Sequence, residues 1–443
     1  MTQAHTAYEL SESQVETPQA IVTLFWRLAR RHRSRLGSVL DLGAGDGRFA
    51  RGGMFEQYIG VEIDKNRAAG AEPLPNGKVL LGCAFHHHGA GYDACIGNPP
   101  YARHHDIESV WKEWAVAKLN RGLKISLYRN SNLYLYFLGL ALLKSHSDGL
   151  VALVIPYEWV SRPSARPLRD YIGLQRWDVT VYRFQVPVFE GVMTTASITI
   201  VDKAHRRGRW TYFDVTPDYK LLRKTSPVAS TSGVLPYTRR GEIWALRGLS
   251  PGSQKVFTLS EGERVRLGLA RGDVVPCVTT LRTLPPGLQV LSSRSFQRHF
   301  VDSGRKCWLI RSDSVKLSHR LEAYLRAVPE EERQTRTCLR QEPWYRFRSH
   351  PVPQLLFGSG FTRFGPKVVL NSVGARAVGS VWGVHSAARL PVRRLQEYLL
   401  KINFERRVVP HAMTLKKVEI RQLNGVLDAF ARRESRNGRK RSR

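Results

Sequence analysis

The sequence predicts an α/β protein: a doubly wound sheet in residues 1–203, a mixed α+β region over 204–434 and a basic tail at 435–443. Three observations carry this expectation. Strand-like and helix-like segments alternate through the first half. A glycine cluster directly follows an early apolar strand, in Val39–Arg48 (VLDLGAGDGR). The charge then changes abruptly along the chain. Of the net +32, residues 1–203 carry 23 Lys and Arg against 19 Asp and Glu, whereas the rest carries 46 against 18. An excess this large in one half marks a surface for a polyanion, with chemistry assigned to the other half.

The individual elements follow from apolar spacing. Ile21–Arg31 reads as a helix through Ile21, Phe25, Leu28 and Ala29, and Asn132–Ser145 as a largely buried helix. Ser38–Leu42, Tyr58–Ile63, Lys78–Leu81 and Tyr92–Ile96 read as strands. Gly149–Pro156 (GLVALVIP) is almost continuously apolar, as expected of a strand covered on both faces. Pro163–Tyr171 reads as a further helix, with Trp177–Phe184 and Ala196–Val201 as late strands. Beyond Lys203 short strands such as Gly268–Val275 and Lys367–Val373 alternate with Gly, Pro and Arg-rich turns.

Composition excludes several classes. Hydrophobic residues at 42% are too many for a disordered chain, and no apolar run is long enough to span a bilayer. The first residues lack a secretory pattern, and five scattered cysteines form no CxxC pair, so a reduced, cytoplasmic, metal-free protein is expected. His86–His88 and His104–His105 adjoin no cluster with metal-ligand spacing and read as a solvated loop.

Gly43, Gly45 and Gly47 allow a tight turn and close approach of a ligand to the backbone. Their G-x-G-x-G spacing differs from the dinucleotide fingerprint. Glu62 closes the next strand, where a carboxylate can accept both ribose hydroxyls of an adenosine ligand. Asp64 suits a cap on the following turn.

Asp41, Gly43 and Gly45 resemble the first motif of the class I S-adenosylmethionine methyltransferases, and Glu62 their second. Gln14–Pro18 (QVETP) resembles the N-terminal cofactor motif of Taq-type adenine methyltransferases, which implies that Thr17 touches the methionine end of S-adenosylmethionine. As bare sequence, Thr17-Pro18 is also a helix cap with a first-turn proline. Family members commonly carry an acidic residue after the third strand. Here the segment is Gly82-Cys83-Ala84-Phe85, which leaves Phe85 to pack against the cofactor adenine.

Gly97–Tyr101 (GNPPY) resembles the catalytic motif of amino-methyltransferases. The side-chain oxygen of Asn98 and the carbonyl of Pro99 can each accept one amino hydrogen, which localises the nitrogen lone pair. Pro99 and Pro100 fix the backbone at little entropic cost. Tyr101 offers a flat face to an extruded base, and Val186–Thr195 resembles a late motif whose aromatic, Phe189, would hold the other face. Phe189 is equally suited to a core.

Together these likenesses imply a Rossmann-like methyltransferase sheet followed by a target-recognition domain. The implied reaction is site-specific methylation of adenine N6 in duplex DNA by base flipping, in a restriction-modification or phage-defence setting with a separate subunit as partner. Cytosine N4, RNA and protein glutamine stay open as targets, as does a non-catalytic DNA-binding homologue. Glu342–Arg348 (EPWYRFR) resembles a segment of such specificity domains, making Trp344, Tyr345, Arg346 and Arg348 candidate DNA contacts. Trp344 and Tyr345 also fit as core anchors.

Overall fold

The structure, a computed structural model, describes residues 15–441 apart from 73, 75, 105, 191–193, 229–233, 363, 388–390 and 413–414. It divides into two compact units. The first runs to Gly233 and includes Val409–Thr414; the second comprises Val234–Val408 with Leu415–Arg443.

In the first unit, α1 (Gln19–Ala29) precedes β1 (Leu36–Leu42), β2 (Phe55–Glu62), α2 (Lys65–Ala69), β3 (Gly77–Leu81) and β4 (Tyr92–Gly97). Then follow α3 (Ser109–Leu123), α4 (Leu133–Lys144), β5 (Ser145–Pro156), α5 (Arg166–Leu174), β6 (Asp178–Phe184), β7 (Ala196–Asp202), β8 (Trp210–Val215) and β9 (Leu221–Lys224). These strands form one sheet in the order β3-β2-β1-β4-β5-β7-β6-β8-β9. The five from β3 to β5 are parallel, and β7 runs antiparallel to both β5 and β6. Every residue from Leu150 to Ile155 is fully buried, which explains the unbroken apolar run of β5. Strand order reverses between β1 and β4. In open α/β sheets, that crevice at the strand C-termini is where ligands bind.

The α4–β5 corner shows how a charge is accommodated in this core. Lys203 is buried, and its Nζ donates to the carbonyls of Leu142 (2.7 Å), Ser145 (3.1 Å) and His146 (3.2 Å). It thereby satisfies helix-end carbonyls, where a cation is also favoured by the helix dipole. Burial pushes its ammonium pKa down to about 8.

The expected boundary at Lys203 is not where the sheet ends, because β8 and β9 extend it. The basic turn after β7 belongs to this unit. Asp178 accepts the backbone amides of Arg207 and Arg209, both at 3.1 Å, and pairs with the Arg207 guanidinium at 2.7 Å. A run of arginines that looked like the start of a new domain is a tied-down strand connection.

The second unit is mixed α+β. Its five-stranded sheet has the order Ile243–Leu246, Val381–Ser386, Leu355–Gly358, Val368–Asn371 and Val290–Leu291. A four-stranded sheet includes Trp308–Ile310 and Val274–Val278, and helices include His319–Ala327, Val392–Lys401 and Ile420–Arg441. The last is helical to Arg441, so the stretch read as a basic tail from 435 continues a helix. Among the described residues no helix is long and apolar enough to cross a membrane, no metal-holding cluster occurs, and all five cysteines are free.

His385 in this sheet is buried and stacks on Trp244, with centroids 5.9 Å apart. Burial, with His350 and Arg240 nearby, pushes its pKa down to about 4. The unfolded chain therefore binds a proton below the ordinary histidine value of 6.5 that the folded unit rejects. The second unit should lose roughly 2 kcal/mol between about pH 6.5 and pH 4. His385→Phe should flatten that part of a stability–pH curve measured by denaturant titration; an unchanged slope would assign the loss to other groups.

Candidate active site

The C-terminal ends of β1, β2, β3 and β4 surround a cavity of about 630 Å³. Gly43, Gly45 and Gly47 all have positive φ (79°, 58° and 75°), so the loop after β1 takes a path that side chains would strain. The loop is clamped to β2: Gly43 and Ala44 donate to the Val61 carbonyl, and Gly45 donates to Glu62 Oε2 at 2.8 Å. Glu62 Oε1 accepts the amide of Asp64 at 2.9 Å. Each carboxylate oxygen keeps a second lone pair towards the cavity that Glu62 helps to line. Asp64 caps α2 through Asn66 and Arg67, a structural role distinct from that of Glu62.

Asp41 does not line this cavity. It is fully buried beneath the loop, where the Tyr58 hydroxyl donates to it at 2.6 Å. Burial, opposed by that hydrogen bond and aided by Glu62 and Asp46, raises its carboxyl pKa to about 7. The reason lies in the close passage of β1 and β4. A Cβ on Gly97 would come within 2.9 Å of Asp41 Oδ1 and 2.7 Å of the Leu42 carbonyl. The Asp41 side chain ties β1 to β2 through Tyr58.

Asn98, Pro99, Pro100 and Tyr101 leave β4 at the cavity wall. Asn98 Nδ2 donates to Thr17 Oγ1 at 3.0 Å and lies 3.4 Å from the Val15 carbonyl. Asn98 Oδ1 is buried and accepts no hydrogen bond among the described residues. Thr17 does not cap α1, which starts after Pro18 without a side-chain cap. Arg48, not singled out by sequence reasoning although it closes the glycine segment, binds the Thr17 carbonyl at 2.8 Å and pairs with Asp46 and Glu16.

Tyr101 donates its hydroxyl to the Val154 carbonyl at 3.1 Å, and burial raises its pKa far above the usual phenol range. Its ring meets Phe189 edge-to-face, with centroids 6.1 Å apart and planes at 83°. The two predicted clamp residues are thus neighbours, but they pack on each other instead of facing across a slot. Phe189 is buried in the same core as α1 and β5; residues 191–193 of its segment lie outside the described residues.

At the opposite end of the cavity, Phe85 packs edge-to-face against Trp111 (5.0 Å) and Phe137 (5.3 Å). Cys83 lines the wall beside it. Lys118 and Lys144 bind carbonyls of this loop, at Phe85 and at His87 and Gly89, which holds the segment without a carboxylate. His86 packs on Trp114 and His87 bonds the Tyr92 hydroxyl; His105 lies outside the described residues.

In the second unit the EPWYRFR segment separates by role. Trp344 and Tyr345 are half-buried against the core, with Trp344 between Phe257 and the Arg333 guanidinium. Arg346 and Arg348 are exposed. The aromatics pack on the core while staying partly accessible, and the arginines face outward.

The first unit is built on an α/β sheet with a crevice where its strand order reverses. Residues 56–189 match the Eco57I restriction-modification methylase family, and residues 242–401 match the C-terminal domain of the Type II methyltransferase M.Eco57I. The chain thus carries an Eco57I-type restriction-modification methylase domain followed by the C-terminal domain of that type. The Type II methyltransferase M.XamI of Xanthomonas campestris pv. amaranthicola is 30% identical over 213 residues, covering 42% of this chain and 38% of its relative. M.AccI of Acinetobacter calcoaceticus is 21% identical over 319 residues, covering 63% and 57%. Among solved structures, the Type IIL restriction-modification enzyme MmeI, in complex with DNA, superimposes with a TM-score of 0.59. That likeness covers 90% of this chain and 63% of MmeI at 12% identity, and it is a likeness of fold.

Proposed function

We propose that this protein is a site-specific DNA methyltransferase that moves a methyl group from S-adenosylmethionine to adenine N6, in a restriction-modification setting with a nuclease or defence subunit as partner. The observation that carries the reading is the Asn98 amide: its nitrogen is tied to Thr17 and Val15, and its oxygen is a buried acceptor with no donor among the described residues. A buried acceptor left unsatisfied costs about 1–3 kcal/mol, which an incoming N–H would relieve. The M.XamI and M.AccI likenesses support the methyltransferase class, and the strongly basic sequence after Lys203 supports a nucleic-acid substrate.

The cavity suits the cofactor. Its volume of about 630 Å³ is that of a small-ligand site, and Glu62, Gly43, Gly45 and Phe85 all line it, which supports reading Glu62 as the acceptor of ribose hydroxyls and Phe85 as the neighbour of the adenine ring. Bound there, S-adenosylmethionine supplies an electrophilic methyl group on a sulfonium. The protein's part is to prepare the amino nitrogen. Asn98 Oδ1 and the Pro99 carbonyl accept its two hydrogens, drawing the nitrogen from planar towards sp³ geometry and freeing its lone pair for attack. These contacts strengthen as the reaction proceeds, so they favour the transition state over the bound base. Incubating the protein with methyl-labelled S-adenosylmethionine and duplex DNA, RNA or total protein tests the substrate class. Label in duplex DNA is expected; label confined to RNA or protein would overturn the proposal.

Because Tyr101 and Phe189 pack edge-to-face, base entry requires Phe189 to move aside while the Val154 hydrogen bond holds Tyr101. With 2-aminopurine at the target position, Tyr101→Ala should weaken base capture by roughly 1–3 kcal/mol. Tyr101→Phe should retain most of it. An equal fluorescence rise in wild type and a Tyr101→Ala, Phe189→Ala double variant would make both residues purely structural.

A further inference from the structure

We infer that Thr17 is a positioning residue for methyl transfer, holding the Asn98 amide in the orientation that the Val15 carbonyl selects, with Oδ1 left for the target amino group. The inference rests on the reading of Asn98 as the acceptor of an amino hydrogen. It assigns Thr17 a role other than contact with the methionine end of the cofactor.

An asparagine amide has two donors on one end and an acceptor on the other, and a flip exchanges them. The Val15 carbonyl, 3.4 Å from Asn98 Nδ2, can only accept. A flipped amide would set two carbonyl oxygens against each other, so the nitrogen must face this way. At 3.4 Å that contact alone holds the amide weakly. The Thr17 hydroxyl, 3.0 Å from the same nitrogen and 3% exposed, supplies the second and better acceptor. Both amide hydrogens are then used, and Oδ1 is left without a partner among the described residues.

Thr17 is itself held from the cofactor side of the cavity. Arg48 binds its carbonyl at 2.8 Å, and the same guanidinium is fixed by Asp46 through Nε (2.8 Å) and Nη2 (2.9 Å), and by Glu16 at 2.9 Å. A chain of hydrogen bonds therefore runs from the loop after β1, through Arg48 and Thr17, to the amide at the end of β4. It gives the segment before α1, which also lines the cavity, a positioning role in catalysis.

The test compares Thr17→Val, Thr17→Ser and Asn98→Ala in the full chain, measuring turnover and KM on duplex DNA and calorimetric affinity for S-adenosylmethionine. Thr17→Val keeps the shape and removes the hydroxyl. It should lower kcat about 10-fold and change cofactor affinity by less than about 2-fold. Thr17→Ser should recover most of the lost turnover. A Thr17→Val loss that appears as weaker cofactor binding, an unchanged kcat, or no recovery with serine would each overturn the inference. An active Asn98→Ala would instead overturn the acceptor role of Asn98, so the two failures are distinguishable.

Discussion

Asn98→Ala is expected to lower methyl transfer by roughly 10²–10³-fold, the scale on which enzymes lose rate when a preorganised polar partner of the transition state is removed. Cofactor affinity and duplex binding should stay close to wild type. The separation follows from geometry. Asn98 bonds Thr17 and Val15 and makes no direct hydrogen bond to the glycine loop or to Glu62 among the described residues, where its Oδ1 also has no partner. Its interaction is worth most as the nitrogen changes geometry, so the loss should appear in kcat more than in KM. Single-turnover assays with labelled cofactor at saturating DNA read this directly. Near wild-type turnover would remove the side-chain acceptor from the mechanism and leave the Pro99 carbonyl to act alone.

Glu62→Ala is expected to weaken S-adenosylmethionine binding by about 3 kcal/mol or more, since hydrogen bonds to a charged group are worth roughly 1.5–3 kcal/mol each and two ribose hydroxyls are involved. The carboxylate also orders the site before any ligand arrives, because it accepts the amides of Gly45 and Asp64 at 2.8 and 2.9 Å. Glu62→Gln should be almost as damaging. An amide has only one acceptor end, so its NH₂ must face one of those two backbone N–H groups. Calorimetry with S-adenosylhomocysteine gives the comparison. Affinity unchanged in both variants would place the ribose elsewhere in the cavity.

Much of the first unit was legible because its signals are local. The predicted segments for β1 to β7, α1, α4 and α5 fall on observed elements, and Glu62 and Asn98 sit where strand ends were read. What escaped was non-local. Helix α3 (Ser109–Leu123) mixes buried Ala115, Val116 and Leu119 with exposed Val110 and Trp114, so no clean apolar stripe marks it. The sheet continues past Lys203, and the arginines there are ion-paired back to it, a fact that charge counting cannot see. Asp41 carries a motif position, yet its side chain turns to Tyr58 in the interior and packs closely on Gly97 of the neighbouring strand. The Thr17–Asn98 bond joins residues on different elements, which no spacing rule predicts. In the basic half, Trp344 and Tyr345 sit in a mixed Arg–aromatic segment whose pattern suits stacking on bases as well as packing on Phe257.

The amino group that Asn98 engages is the central claim, and nucleoside analysis of methylated product tests it most directly. Unmodified duplex DNA incubated with the full chain and S-adenosylmethionine would be digested to nucleosides and resolved by mass spectrometry, alongside an Asn98→Ala reaction. The account predicts N6-methyldeoxyadenosine as the product of the wild-type protein, greatly reduced in the variant. N4-methyldeoxycytidine in its place, or the same adenine product from both proteins at equal rate, would contradict it.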